Sequence, residues 1–513
     1  KGRRTPLWLK IQKEEIQMRN LKRALSLALA AIMLIGMMVV SASATGLDDF
    51  SDKDKVVNKD AVSMLTTLGV INGKEDGSYF DPTGNVTRAE MAKMIATVLN
   101  QGADVDGLYV GMNTGLTDVK GHWAESYINY CYSLGIIAGR GNGKFDPAAT
   151  VTGNEAAKML LVAAGYDAQL EGLTGADWAI KTASLASTLG IFDNLSVATS
   201  DPLTRDNAAL LIYNALDIEM IQKYENGYAI AFTDHRTILA DKYGVIKVQG
   251  VVVANEWASL ASDDGDAALK EGKTTIYNGE GIFSTTGNTT VSKEDASLKT
   301  QTFNVSTPVD MLGKTVNLYI KKTTILADST VYGDPVVSDV NTVVTTGETV
   351  LYSGAKDPQV DYDKLLGENG LTDKDAKYFW NYNSGKYIPN TTEKYGDKTA
   401  NVKGATLTII DNNGDGEVDY VLSVEKALAD ITSVNSKKET VTVRTLGTLD
   451  NKDVVGYEDM AKEDVVLYVQ YGGRTYLEKP EVVTGEMEHF NVKGTEKYMT
   501  VGGEKYKADE LET

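Results

Sequence analysis

The sequence predicts a multidomain chain: an all-α triplet of helix-loop-helix repeats, followed by all-β domains of sandwich or barrel type. Three observations predict this. One pattern recurs three times before residue 220, and apolar residues inside it sit at helical spacing. Beyond Leu216, alternating or β-branched runs follow one another at short intervals, separated by Gly, Asn and Asp turns.

The chain has 513 residues, enough for three or four domains of ordinary size. Its first segment reads as a secretory leader. Arg19, Lys22 and Arg23 precede an apolar run of 17 residues from Ala24 to Val40, and Ala42-Ser43-Ala44 follows as an A-x-A cleavage site before Thr45. The alternative is a membrane anchor, but the run is at the low edge for a span, and the small-residue site behind it favours cleavage. Residues 1–44 are therefore assigned as signal peptide, with 1–17 upstream of the natural-looking start at Met18. The formal net charge is −20; without residues 1–44 the chain keeps 43 basic against 69 acidic residues, a net of −26. A chain so acidic repels nucleic acid and anionic membrane surfaces at long range. The single cysteine, Cys131, excludes an intrachain disulfide, so stability rests on packing.

The three copies are "LTTLGVINGKEDGSYFDPTGNVTRAEMAKMI", "CYSLGIIAGRGNGKFDPAATVTGNEAAKMLL" and "ASTLGIFDNLSVATSDPLTRDNAALLI". Each reads as a helix ending at Leu-Gly, a turn-rich loop, an Asp-Pro pair and a second helix opened by a threonine. Thr87, Thr152 and Thr204 are 65 and 52 residues apart, which suits a module of roughly 50–60 residues. Met91, Met94, Ile95 and Val98 form one apolar stripe, and Ala156, Met159, Leu160 and Ala163 repeat it. One hairpin cannot bury such a face alone, so the three are expected to pack around a common centre. The copies are placed at 45–105, 106–168 and 169–220.

The helix openings separate by chemistry. Thr87 with Glu90, and Thr152 with Glu155, have capping-box spacing; Thr204 keeps the cap with Asn207 as a weaker third-position partner. Arg88 and Arg205 sit where the helix dipole disfavours a cation. Their planar forks suit a carboxylate ligand, or equally a neighbouring Asp or Glu. Gly153 stands in the corresponding position of the second copy. Trp123 and Trp178 open the first helices of copies two and three, where packing is the ordinary role of the indole. Gly73 and Gly139, four residues after Gly69 and Gly135, are expected to allow a left-handed turn. "GRGNGKF" at 139–145 lacks phosphate-loop spacing and reads as a turn.

From residue 50 to about 216 this pattern resembles the S-layer homology (SLH) domain family, on "VTRAE" at 86–90, "HWAESYI" at 122–128, "LGIIAGRGNGKFDP" at 134–147 and "LTRDN" at 203–207. The resemblance implies a pseudo-threefold prism with a central three-helix bundle. It implies binding of secondary cell-wall polysaccharide attached to peptidoglycan, often bearing pyruvate ketals, in grooves between adjacent copies. Arg88 and Arg205 match the family's binding arginine, Trp123 and Trp178 border its groove, and Gly73 and Gly139 would let backbone amides approach the ligand. Gly153 departs from the pattern, which implies a second-copy groove that folds but holds an anionic sugar weakly or not at all.

The β region is divided into 221–430 and 431–513, with a soft boundary near 425–435. The last strand-like run, "KYMTVGGEKYK", has no closing element after it, as in a fragment of a longer protein. In "IIDNNGDGEVDYVL", Asp411, Asn413, Asp415 and Asp419 offer oxygen ligands of the kind calcium takes. Leu422 stands where an EF-hand needs Glu, and the flanks read as strands, so the other reading is a hairpin tip. No cofactor is required by anything else in the chain. His122, His235 and His489 have no metal-ligand spacing, and no nucleophile or zinc motif occurs, so no enzyme is expected. The favoured function is a secreted structural protein of the cell wall or S-layer of a Gram-positive-type bacterium, self-associating in a surface array. The alternative is an enzyme or adhesin that uses the same anchor to act on or bind polysaccharide.

Overall fold

The computed structural model describes residues 46–74, 77–260, 268–279, 284–286, 299–321, 328–346, 359–360, 362–384, 400–401, 405–482, 484–491 and 498–507. The leader expected over residues 1–44 lies outside them. Two units divide between Tyr243 and Gly244.

The first unit holds three helix pairs: α1 (Lys59–Thr67) with α2 (Arg88–Leu99), α3 (Glu125–Ser133) with α4 (Gly153–Ala163), and α5 (Trp178–Thr188) with α6 (Arg205–Leu216). The first helix of every pair stops the same way. Gly69, Gly135 and Gly190 take φ of 70°, 72° and 77°. The next amide then reaches back to the helix: Val70 N to Leu65 O at 2.8 Å, Ile136 N to Cys131 O at 3.0 Å and Ile191 N to Ala186 O at 2.9 Å. This left-handed glycine closure is why "LG" ends each first helix.

A ring of backbone hydrogen bonds joins the copies. Val86 N donates to Leu203 O, Leu203 N to Val151 O and Val151 N to Val86 O, each at 2.9 Å. All three residues are buried. The helices then pack cyclically: α3 lies on α2, α5 on α4, and α1 closes the circle on α6. Ile95, Val98, Leu160, Ile212 and Leu216 of the three second helices line a common apolar cavity, with Ile238 beside them. A hairpin, Ile221–Glu225 with Tyr228–Ala231, follows α6. It is tied to the end of α4 in the second copy by Ile221 N to Ala164 O at 2.9 Å, and to the start of the third copy by the Tyr224 hydroxyl to Glu171 at 2.7 Å.

The second unit is β-rich. One antiparallel sheet runs in the order Thr300–Phe303, Thr274–Tyr277, Val245–Asn255, Thr315–Lys321, Thr330–Val337. A second runs Asn383–Ser384, Lys377–Trp380, Tyr420–Glu425, Ala405–Asp411, Thr342–Thr345. Val248, Leu318 and Phe303 of the first share one core with Phe379, Ile410 and Leu422 of the second. The chain leaves the second sheet at Glu425 and enters a third at Ala427, whose own core holds Ile431, Val441, Val443 and Val466. A three-stranded sheet, Met487–Asn491, Tyr498–Val501 and Glu504–Lys507, follows.

The expectation of purely β structure here needs correcting. The helix α7 (Tyr362–Glu368) covers the second sheet, burying Tyr362 and Leu366 against Leu407 and Val421. Lys377–Trp380 pairs parallel to Tyr420–Glu425, which a series of simple hairpins would not produce.

Candidate functional site

The second helix of each copy starts against the loop of the next copy, and this junction is built from backbone first. Arg88 N donates to Ala149 O at 2.8 Å and Ala89 N to Pro147 O at 3.0 Å. Arg205 N donates to Gly84 O at 2.8 Å and Asp206 N to Pro82 O at 3.1 Å. Gly153 N and Asn154 N reach Asp201 O and Thr199 O at 3.3 and 2.7 Å. The third amide goes to the capping hydroxyl: Glu90 N to Thr87, Glu155 N to Thr152 and Asn207 N to Thr204, at 3.2, 3.3 and 3.2 Å. Glu90 and Glu155 complete the boxes, accepting from Thr87 N at 2.8 Å and Thr152 N at 3.1 Å. These amides are therefore occupied. An anion at a junction must be held by side chains, not by the helix end.

Those side chains differ from junction to junction. Arg88 is buried, 6% exposed. Its Nε donates to Phe145 O at 3.0 Å, one terminal nitrogen to Glu155 Oε1 at 3.1 Å and the other to Ala138 O at 3.5 Å. Its guanidinium carbon lies 4.6 Å from the centre of the Phe145 ring. Burial lowers its proton affinity, and the charge of Glu155 offsets part of that. Arg140 reaches the same Glu155 oxygen at 2.6 Å. Arg88 thus has a neighbouring carboxylate as a partner, drawn from the second copy.

Arg205 has the equivalent place and a different environment. It lies 5.3 Å from the centre of the Phe80 ring and donates to Asn72 O at 2.7 Å. It makes no ion pair among the described residues, and its buried Nε has no hydrogen-bond partner. Glu90 stands where Glu155 stands for Arg88 but makes no ion pair with Arg205 among the described residues, and Asp81 is held by Lys74 at 2.7 Å. Burial lowers the proton affinity of Arg205, with Glu90, Asp81 and Asp52 acting against it from a distance.

The middle junction is closed as well as uncharged. A Cβ on Gly153 would sit 2.9 Å from Thr199 O and 3.0 Å from Thr199 Cα. The shorter loop of the third copy, "ATSDP" in place of an aromatic before Asp-Pro, lets its backbone come in to the helix. An arginine restored at 153 would meet that backbone.

Trp123 is 53% exposed, tilted against His122 and Tyr127 at centroid distances of 5.5 and 6.3 Å. Trp178 is half-buried, with Lys158 Nζ 5.5 Å from its ring centre. The expectation of left-handed backbone at Gly73 and Gly139 is corrected: positive φ belongs to Gly69 and Gly135 instead. What requires glycine at 73 and 139 is close approach. An added Cβ would stand 2.0 Å from Gly77 O and 2.9 Å from Lys144 O respectively.

Two carboxylates that the sequence reading passed over set the loops. Asp52 accepts Phe80 N and Asp81 N, both at 2.9 Å; Asp118 accepts Phe145 N at 2.9 Å and Asp146 N at 2.8 Å. They hold Asp81 and Asp146 at φ of 62° and 56° and so aim Phe80 and Phe145 at the arginines. The signal was present in the sequence as Asp in "FSD" and "LTD", 28 and 27 residues before the Phe of "FDP".

The calcium candidates form a hairpin loop between Ala405–Asp411 and Tyr420–Glu425. Asp411 is buried and accepts from Asn413 N, Gly414 N and Gly416 N at 3.1, 2.7 and 3.0 Å. Asn413 accepts from Asp415 N at 2.9 Å, and Asp419 from Asn412 N at 2.8 Å. Burial raises the proton affinity of Asp419, with Asp411 and Asp415 adding to it. Among the described residues, no three His, Cys, Asp or Glu side chains are gathered to hold a metal. These oxygens serve the turn.

The model of the S-layer homology domain matches residues 49–92 and 115–157. The third copy lies outside those matches, yet it keeps the glycine closure, the threonine cap and its place in the ring. A "Cell surface protein" of Thermoanaerobacter kivui is 27% identical over 270 residues, 52% of this chain and 32% of that protein. A "Middle cell wall protein" of Brevibacillus brevis is 28% identical over 250 residues, 48% of this chain and 22% of its own length. A "Surface layer protein" of Brevibacillus choshinensis is 27% identical over 253 residues, covering 48% and 21%. The chain thus spans between a fifth and a third of these relatives. Among the described residues no helix is long and apolar enough to cross a membrane. The chain carries S-layer homology domains and is similar over about half its length to cell-surface proteins of the S-layer type.

Proposed function

We propose that the helical unit is a pseudo-threefold SLH prism that anchors the protein non-covalently to an anionic, pyruvylated secondary cell-wall polysaccharide, and that the β-rich unit contributes to a surface array. The observation that carries the anchoring reading is Arg205. It is a guanidinium on an aromatic ring at an inter-copy junction, with a buried nitrogen lacking a partner and no carboxylate paired to it among the described residues. A planar fork of this kind takes a carboxylate bidentately. The ring of hydrogen bonds through Val86, Val151 and Leu203 supports the threefold arrangement. Arg88, already neutralised by Glu155, serves mainly as a lock between copies one and two.

The test is binding of the full chain to purified cell wall. Arg205→Gln is expected to weaken it by about tenfold or more, the worth of one or two charge-assisted hydrogen bonds at roughly 1.5–3 kcal/mol each. Its melting temperature should stay near that of the parent. Unchanged binding by a folded Arg205→Gln variant would contradict the assignment.

A further inference from the structure

We infer that the turn Tyr471–Arg474 is a latch that fixes the third sheet of the β-rich unit on the first two, so that the three sheets act as one stiff block rather than as two domains joined at a hinge. This goes beyond the anchoring reading and does not depend on it. A regular lateral contact needs such a block, because a bend inside it would spread the positions of the contacting surfaces.

The covalent link between the parts is slight. The second sheet ends at Glu425 and the third begins at Ala427, which leaves Lys426 alone between them. The third sheet also has a core of its own around Ile431, Val441, Val443 and Val466. Two parts so joined move relative to each other unless an apolar interface holds them. Such an interface is present. Tyr471 ends the strand Val465–Tyr471 of the third sheet, yet it packs on the core shared by the first two, as does Tyr382 from the turn of the second sheet. These two rings meet edge to face at 4.8 Å. Tyr471 stacks on Tyr476 at 4.1 Å, Tyr476 lies 6.3 Å from Trp257, and the Arg474 guanidinium carbon lies 5.6 Å from the centre of the Trp257 ring. Four aromatic rings thus run from the second sheet, through the third, to the loop that follows Val245–Asn255 of the first. Burial raises the proton affinity of the Tyr382 and Tyr471 hydroxyls, as befits rings withdrawn from water.

The seat for the turn is preset. Asn255, fully buried, accepts from Trp257 N and Ala258 N at 3.0 and 3.1 Å and donates to Thr307 O at 3.2 Å. Gly472 closes on this seat: an added Cβ would stand 1.9 Å from Trp257 O and 3.2 Å from Ala268 Cβ. Gly473 supplies the contrast. Both glycines take positive φ, 57° and 75°, but a Cβ on Gly473 would meet nothing within 4 Å. Left-handed backbone accounts for glycine at both positions. Close approach to the first sheet is the further demand made at 472 alone.

Trypsin tests this on the full chain, since Lys426 is exposed and lies between the sheets. Gly472→Ala and Gly473→Ala carry similar backbone strain, and only the first pushes the turn off Trp257. Cleavage after Lys426 should be about tenfold faster or more in Gly472→Ala than in Gly473→Ala. Trp257→Ala, which puts no strain into the turn, should speed cleavage likewise. Hydrogen exchange on the uncleaved chains should find the amides of Val441 and Val443 protected in every variant, with the third sheet released but folded. Equal cleavage of the two glycine variants would overturn the inference, as would a parent chain cleaved as fast as Trp257→Ala. Loss of protection at Val441 and Val443 in both Gly472→Ala and Trp257→Ala would overturn it too, because the third sheet would then depend on the other two for its fold.

Discussion

Arg88→Met is expected to destabilise the helical unit by about 3 kcal/mol, the range found when one member of a buried ion pair is removed. The methionine keeps the apolar stem over Phe145 but removes the donors to Phe145 O, Ala138 O and Glu155. Those carbonyls belong to the loop of the second copy, so the loss falls on the contact between copies. Glu155 keeps Arg140, which limits the cost to its own charge. Arg205→Met should cost under about 1 kcal/mol, because a partly buried cation with a single hydrogen bond, to Asn72 O, among the described residues has less to lose. Urea melts followed by the far-ultraviolet helix signal would measure both. Equal destabilisation by the two substitutions would contradict the division of labour between a locking and a binding arginine.

Asp118→Ala is the second large effect, expected near 2 kcal/mol from two charge-assisted hydrogen bonds to backbone amides. Phe145 N and Asp146 N would lose their acceptor, and Asp146 would lose what holds it in a left-handed conformation. The effect has a pH signature. Burial pushes the Asp118 carboxyl up, but the amides of Phe145 and Asp146 outweigh it and hold the group below the ordinary carboxylate range. A depressed folded-state value means that the stabilisation is complete above the unfolded value of about 4. It is lost as pH falls further. The difference in stability between parent and Asp118→Ala should therefore be constant from pH 5 to 8 and shrink below about pH 4. A difference that grows on acidification would show that the carboxylate is not what sets this loop.

These two residues also mark where the sequence stopped being legible. Thr87 with Glu90, and Thr152 with Glu155, could be read because a cap is decided within four residues. The apolar stripes of α2 and α4 are likewise local. Arg88 was ambiguous because its partner, Glu155, is 67 residues away in another copy. Only the packing of the second loop on α2 decides between ligand and ion pair. Arg205 was ambiguous for the same reason: its neighbours, Asn72 and Phe80, come from the first copy, across the closing junction. Asp52 and Asp118 were visible as a recurrence but carry no motif of their own, since their work is to accept two amides far along the chain. The glycines show the limit of conformational arguments. Gly69 and Gly135 take the positive φ, while Gly73 and Gly139 are needed for want of space. In the β-rich unit the strands themselves were readable as alternating runs; the parallel pairing and α7 were not, because neither leaves a period-2 trace.

The central claim is that inter-copy side chains hold the protein to the wall through a secondary polysaccharide. The most direct measurement is sedimentation of the full chain with purified cell wall, before and after removal of that polysaccharide. The structure predicts at least a tenfold loss of binding on removal, with salt weakening what binds the untreated wall. Equal binding to both walls would contradict it.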